Sequence, residues 1–215
     1  MALKAAQSSS PVKESARESA REKILNSALS LFSEMGFDGA TTRKIADAAD
    51  VNHALIKYHF GSKELLWRAS VDLLFERLDD AMVSFNRLQA QTQDPVERFR
   101  LFVRDYVRYC AEHPEHARIM SQESTGENPR LRWAVDQHLR STRDVLDDLF
   151  NGLFEVGALP VMSLISLRYM LTAACQNVFT LATEIQHLYG VNATHDAQIE
   201  AHVDAVLKLF LRQSN

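Results

Sequence analysis

The run TTRKIADAADVNHALIKYHFGSKELL, residues 41–66, holds the starts of three helices and the stops of two within one short stretch. Thr41 or Thr42 can cap a short helix whose inward stripe is Ile45, Ala46 and Ala49, ending near Asp50. Asn52 is placed to cap a third helix of about two turns that stops at Phe60 and Gly61. Ser62 caps a fourth, running through Leu65, Leu66, Ala69 and Leu73 towards Leu88, with Glu64 in its first turn where a carboxylate suits the helix dipole. Upstream, Ile24, Leu25, Ala28, Leu31 and Phe32 recur at helical spacing and predict a first helix from about Ala16 to Met35. Gly36 supplies its stop, and Phe37 tucks back towards the same face.

Two short helices joined by a tight turn at Ala49 to Val51 have the spacing of a helix-turn-helix, whose second helix would enter the major groove. Val51, Ile56 and Phe60 are apolar and can face a small core, which leaves His53, Ala54, Lys57 and Tyr58 outward. His53 and Lys57, one turn apart, can reach base edges or phosphate. Small Ala54 permits close approach, and the Tyr58 hydroxyl can donate to a phosphate oxygen. Thr42, Arg43 and Lys63 stand at helix starts where they could hold the backbone, and Thr41, Asn52 and His59 complete the candidate DNA-contacting set. Spacing alone leaves a purely structural helix pair open, because outward Lys and Tyr occur in many helical domains.

Beyond residue 90 the helices lengthen, with ranges of about 95–112, 114–123, 128–156, 161–188 and 196–213, and with Pro95, Pro114, Pro129 and Pro160 near the starts. The expectation is an all-α protein of about nine helices: a three-helix DNA-binding domain followed by a larger helical one. The apolar (46%) and charged (24%) fractions are those of an ordinary globular chain. The most apolar stretch, Leu159–Leu181, is interrupted by Arg168, Gln176 and Asn177, so it predicts a buried helix and no membrane partner. Residues 1–20 lack the apolar core of a signal peptide, which leads us to expect a cytoplasmic protein. Net charge is −4, but residues 1–68 carry ten Lys or Arg against eight Asp or Glu, and residues 69–215 fourteen against twenty. The basic excess therefore lies on the helix-turn-helix side. Cys110 and Cys175 suggest neither a disulfide framework nor a zinc site, and each is expected to be a small buried residue. His113 and His116 lack a third ligand at suitable spacing, so neither metal nor cofactor is expected. There is no phosphate loop, nucleophile elbow or metal-binding His-Glu helix, hence no catalytic residue to nominate and no enzyme predicted.

The stretches ILNSALSLFSEMGFDGAT (24–41), TTRKIADAAD (41–50) and VNHALIKYHFGSKELL (51–66) together resemble the DNA-binding segment of the TetR family of bacterial regulators. Two departures stand out. That family usually has Gly where Asp50 stands, so Asp50 is expected in a left-handed conformation; and it often has Tyr or Asn where Lys57 adds a positive charge. The resemblance implies a tail over 1–15, a DNA-binding domain over 16–66 and an effector-binding, dimerising domain over 67–215. It also implies a homodimer that reads a near-palindromic operator in double-stranded DNA and is released by a small molecule, most simply as a repressor. The dimer surface would fall on the last two long helices, at Leu164, Leu167, Leu171 and Val178 and at Val203, Val206, Leu207 and Phe210. Effector-contact candidates are Phe102, Tyr106, Tyr109, Met120, Trp133, Gln137, Gln176 and Asn177, which join aromatic bulk to a few polar handles. The competing readings are a sequence-tolerant DNA binder without effector and a helical enzyme with a merely structural motif.

Overall fold

The computed structural model describes residues 11–88 and 91–212, with side chains from residue 19 onward. Two compact units meet in sequence between Ser70 and Val71. The first contains α1 (Pro11–Gly39), α2 (Thr42–Ala48), α3 (Ala54–Phe60) and the start of α4 (Lys63–Ala81). Of the expected tail over 1–15, residues 1–10 lie outside the described residues, and the last five are already helical. Ile24, Leu25, Ala28, Leu29 and Phe32 of α1 are buried with Ile45, Ala46 and Ala49 of the second helix and its cap, and with Ile56 and Phe60 of α3. All three helices touch one another. Leu31, expected inside, is half-buried, and Leu29 takes its place one position away. Gly36, at φ 70° and ψ 174°, breaks α1 and turns Phe37 back to stack on Phe32, ring centroids 6.0 Å apart.

Each start signal works through an identifiable bond. The Thr41 hydroxyl accepts from Lys44 N at 3.3 Å, Asn52 Oδ1 from Ala54 N at 2.9 Å and Ser62 Oγ from Leu65 N at 3.1 Å. Asp50, at φ 52°, is the one non-glycine residue with positive φ among the described residues, as expected from its place in the turn. The phase of α4 differs from expectation by about one residue. Leu66, Trp67, Ser70, Val71 and Leu74 are buried, whereas Leu65 is exposed and Ala69 and Leu73 are only half-buried.

The second unit continues with α5 (Val83–Leu88), α6 (Pro95–Glu112), α7 (Pro114–Glu123), α8 (Pro129–Ala134), a π-turn (Val135–Leu139), α9 (Arg140–Glu155), α10 (Leu164–Thr180), α11 (Ala182–Tyr189) and α12 (Asp196–Phe210). The described residues thus form twelve α-helices rather than about nine, because three of the expected helices are each interrupted once: at Met82, at the π-turn and at Leu181. Pro95, Pro114 and Pro129 open helices at the first helical position. Pro160 precedes its helix by a short extended segment instead. No strand occurs among the described residues, and no helix is long and apolar enough to cross a membrane.

The central element is α6, which packs against α5, α7, α9, α10 and α12. It buries Phe99, Phe102, Val103, Val107 and Tyr109 and keeps Glu97, Arg100, Arg104 and Arg108 on an exposed charged stripe. Asp105 of this helix reaches across to accept from Phe85 N at 2.8 Å, capping α5 with a carboxylate from a distant element. This arrangement corrects the predicted dimer stripe. Leu167, Leu171, Val203, Val206, Leu207 and Phe210 are buried in the core of the chain's own second unit, and Leu164 and Val178 are half-buried. The stripe follows apolar periodicity, and on a helix apolar on two sides that signal marks the inward side first.

Candidate nucleic-acid interface and ligand cavity

The outward set of the helix-turn-helix is exposed as its phase requires. His53, Ala54, Lys57 and Tyr58 all face solvent beside buried Ile56 and Phe60, with Tyr58 at 58% exposure. Asn52 and Arg43 are exposed, and Thr42 and His59 half-buried. His53 Nε2 lies 2.9 Å from the Thr42 hydroxyl, tying the start of α3 to the first turn of α2 and orienting the imidazole. The ring of His59 meets that of Tyr58 edge-on at 5.0 Å. Thr41 is engaged as a cap, as described above.

Lys63 has a different position from the free phosphate contact its place suggested. Its Nζ sits 4.4 Å over the Phe37 ring and donates to the Asp38 carbonyl at 3.4 Å, fastening the start of α4 to the bend after Gly36. The side chains of Arg43 and Lys57, by contrast, enter no hydrogen bond or ion pair among the described residues. Two exposed cations, two hydroxyls and a helix N-terminus on one surface suit a phosphodiester backbone, and the exposed first turn of α3 suits base edges.

The second unit contains a cavity of about 630 Å³ that opens to solvent on one side. Its wall is drawn from α4 to α7, the π-turn, α9 and α10, and joins Phe, Leu and Met side chains to a comparable number of polar ones, Ser and Thr hydroxyls among them. Of the eight effector-contact candidates, Phe102, Tyr106, Met120, Gln176 and Asn177 line it. Tyr109, Trp133 and Gln137 do not. Tyr109 is spent in the core, donating to the Leu74 carbonyl at 2.8 Å with His116 Nδ1 2.5 Å from the same oxygen. Trp133 packs edge-on against His138, and Gln137 points to solvent from the π-turn. Since the phenol has one hydrogen, and it goes to Leu74, Nδ1 of His116 must carry a proton and donate it to the Tyr109 oxygen. Burial pushes His116 down to about 4, so the ring is neutral at pH 7. Gln176 Nε2 donates to the Tyr106 hydroxyl at 2.6 Å, and burial raises that phenol well above its ordinary value.

Sequence reasoning missed several wall residues, among them Phe75, Met82, His116 and Arg168. In the sequence Arg168 interrupts an otherwise apolar stretch, and a cation there is itself the available signal. Both thiols are buried. Burial raises Cys110 well above its ordinary value and pushes Cys175 up to about 12.

Comparison with known proteins supplies the family. The profile described as "Bacterial regulatory proteins, tetR family" matches residues 24–69, which contain the whole of the helix-turn-helix. That described as "YcdC-like protein, C-terminal region" matches residues 73–215, the second unit almost entire. The chain belongs to the TetR family. Among TetR relatives it is 26% identical over 202 residues to the HTH-type transcriptional regulator RutR of Escherichia coli O157:H7, covering 93% of this chain and 92% of that protein. It is 28% identical over 137 residues to the HTH-type transcriptional repressor NicS of Pseudomonas putida, covering 64% of this chain and 62% of that one. The solved ketosteroid transcriptional regulator KstR2 of Mycobacterium tuberculosis shares the fold at TM-score 0.65 and 21% identity, covering 90% of this chain and 95% of the other. This TetR protein is accordingly a DNA-binding transcriptional regulator.

Proposed function

We propose that the protein is a cytoplasmic, homodimeric repressor that holds a near-palindromic operator and releases it when a small molecule occupies the cavity of the second unit. The observation that carries the reading is the exposed quartet His53, Ala54, Lys57 and Tyr58 on a helix whose opposite face is buried. In this reading His53, Ala54 and Lys57 face base edges, Tyr58 and Arg43 hold phosphates, and Thr41, Thr42, Asn52, His59 and Lys63 fix the motif's geometry. Two such helices about 34 to 36 Å apart match successive major grooves, which is why a dimer is expected. The exposed apolar residues Ile165 and Met170 of α10, Leu188 and Tyr189 of α11 and Leu209 of α12 offer the dimer a face that the chain's own core leaves open.

Release requires that the effector prefer the arrangement that cannot hold DNA. A shift from 1:99 to 99:1 needs about 10⁴-fold difference in affinity, roughly 5.5 kcal/mol. Helix α4 is the natural carrier, because Phe75, Leu78 and Asp79 on its second half line the cavity while Lys63 opens its first turn. The repressor sign follows the named function of the NicS relative, and we assign no catalytic role.

Selection of bound fragments from a random DNA pool tests the reading. A near-palindromic consensus is the expected result; a folded protein that enriches no sequence would be a sequence-tolerant binder instead. Within a recovered operator, Tyr58→Ala should weaken binding to all sequences alike, and His53→Ala or Lys57→Ala should also change which bases are preferred.

A further inference from the structure

We infer that the cavity accepts a singly charged anion, with an apolar body against the wall and a carboxylate or similar oxyanion against Arg168; the inference rests on reading that cavity as the effector site. Arg168 of α10 lines the cavity, and its Nη1 is fully enclosed with no hydrogen-bond partner. The side chain joins no ion pair among the described residues. A guanidinium stays charged and carries five donors in a planar fork, so enclosing one of its nitrogens unmatched is unfavourable until acceptors arrive. A carboxylate supplies two in the matching geometry.

The rest of the wall narrows the ligand further. Among the described residues Asp79 is the one carboxylate on it, and no ion pair joins it to Arg168. One Gln176 N–H is already spent on the Tyr106 oxygen. His116 is neutral for the reason given above, so among the described residues Arg168 is the single cation that faces the cavity. A polyanion such as a nucleotide would bring charges that nothing here matches. A neutral ligand would leave the guanidinium unmatched. Phe75, Leu78, Met82, Phe85 and Phe102 meanwhile require apolar surface, and about 630 Å³ lies within the usual range of small-molecule sites.

The test uses the full-length protein and the neutral dye N-phenyl-1-naphthylamine, which brightens in apolar cavities. Decanoate and 4-phenylbutyrate are titrated against the bound dye beside decanamide and 4-phenylbutanamide, which keep the shape and lose the charge. The carboxylates should displace the dye at concentrations at least tenfold lower than the amides. Arg168→Gln should shrink that gap to under twofold in protein that still unfolds cooperatively and still takes up the dye, and Arg168→Lys should retain part of it. Equal displacement by acid and amide, or a gap that survives Arg168→Gln, overturns the anion inference while the cavity reading stands. Failure of the dye to bind overturns both.

Discussion

Asp50 shows how much one backbone angle can ask of a residue. At φ 52° it occupies a region where an L side chain costs roughly 1–2 kcal/mol, less for Asp than for most. The side chain is exposed, so substitution changes conformational preference and little else. Asp50→Gly should therefore raise the unfolding free energy by about 0.5–1 kcal/mol and Asp50→Val should lower it by a similar amount or more, measured by urea denaturation. A Val variant as stable as the Gly variant would mean that the turn relaxes to another shape. This position was legible because a turn residue announces its own geometry. Lys63 was not, because a lysine at a helix start looks the same whether it reaches for phosphate or lies over a ring such as Phe37. His53 falls between the two: its exposure follows from periodicity, but its bond to Thr42 crosses between helices. Thr42→Val should free the imidazole and alter base preference at the His53 position while overall affinity falls less than tenfold, read by binding to a panel of single-base operator variants.

At the scale of elements, local signals placed the caps and breaks of the first unit but missed the interruptions at Met82, the π-turn and Leu181, and the facing of the helices depended on partners that periodicity does not see. The caps at Thr41, Asn52 and Ser62 and the breaks at Gly36 and Gly61 lie within a few residues of what they control, so the first unit could be drawn almost completely. Helix α10 illustrates the other case. Leu167 and Leu171 are inside, Ile165 and Met170 outside, and all four are apolar. A helix with two apolar faces cannot be oriented by hydropathy, and α10 is of this kind, whereas α6 and α9 each carry one apolar side. The difference is measurable. Leu171→Ala should cost about 2–5 kcal/mol of stability, whereas Ile165→Glu paired with Leu188→Glu should leave the melting profile of dilute protein within a few degrees of wild type and shift its sedimentation from dimer to monomer. A double variant that still sediments as a dimer would move the interface elsewhere.

For the molecule as a whole, acid is the condition most closely tied to a described group. His116 titrates near 6.5 in an unfolded chain but only at about 4 when buried against Tyr109, where His113 and His138 disfavour its charge and Glu115 favours it. Between those values the unfolded state binds a proton that the folded state does not, so stability falls as pH drops from about 6.5 to 4 and levels off below. The loss from this residue is on the order of 3 kcal/mol. His116→Gln, which can still donate to the Tyr109 oxygen, should flatten that part of the urea-midpoint profile between pH 7.5 and 4.5. Operator binding should respond to salt instead, weakening with a log–log slope of about −0.9 per phosphate contacted. Oxidants and electrophiles are a third kind of signal that bacteria meet, and to these the protein should be indifferent. With Cys110 and Cys175 both enclosed and both held in the thiol form, neither presents a thiolate to peroxide or quinone. Whatever this regulator reports on must reach it by fitting into the protein, and a cysteine introduced anywhere on its surface would be the one handle a maleimide could find.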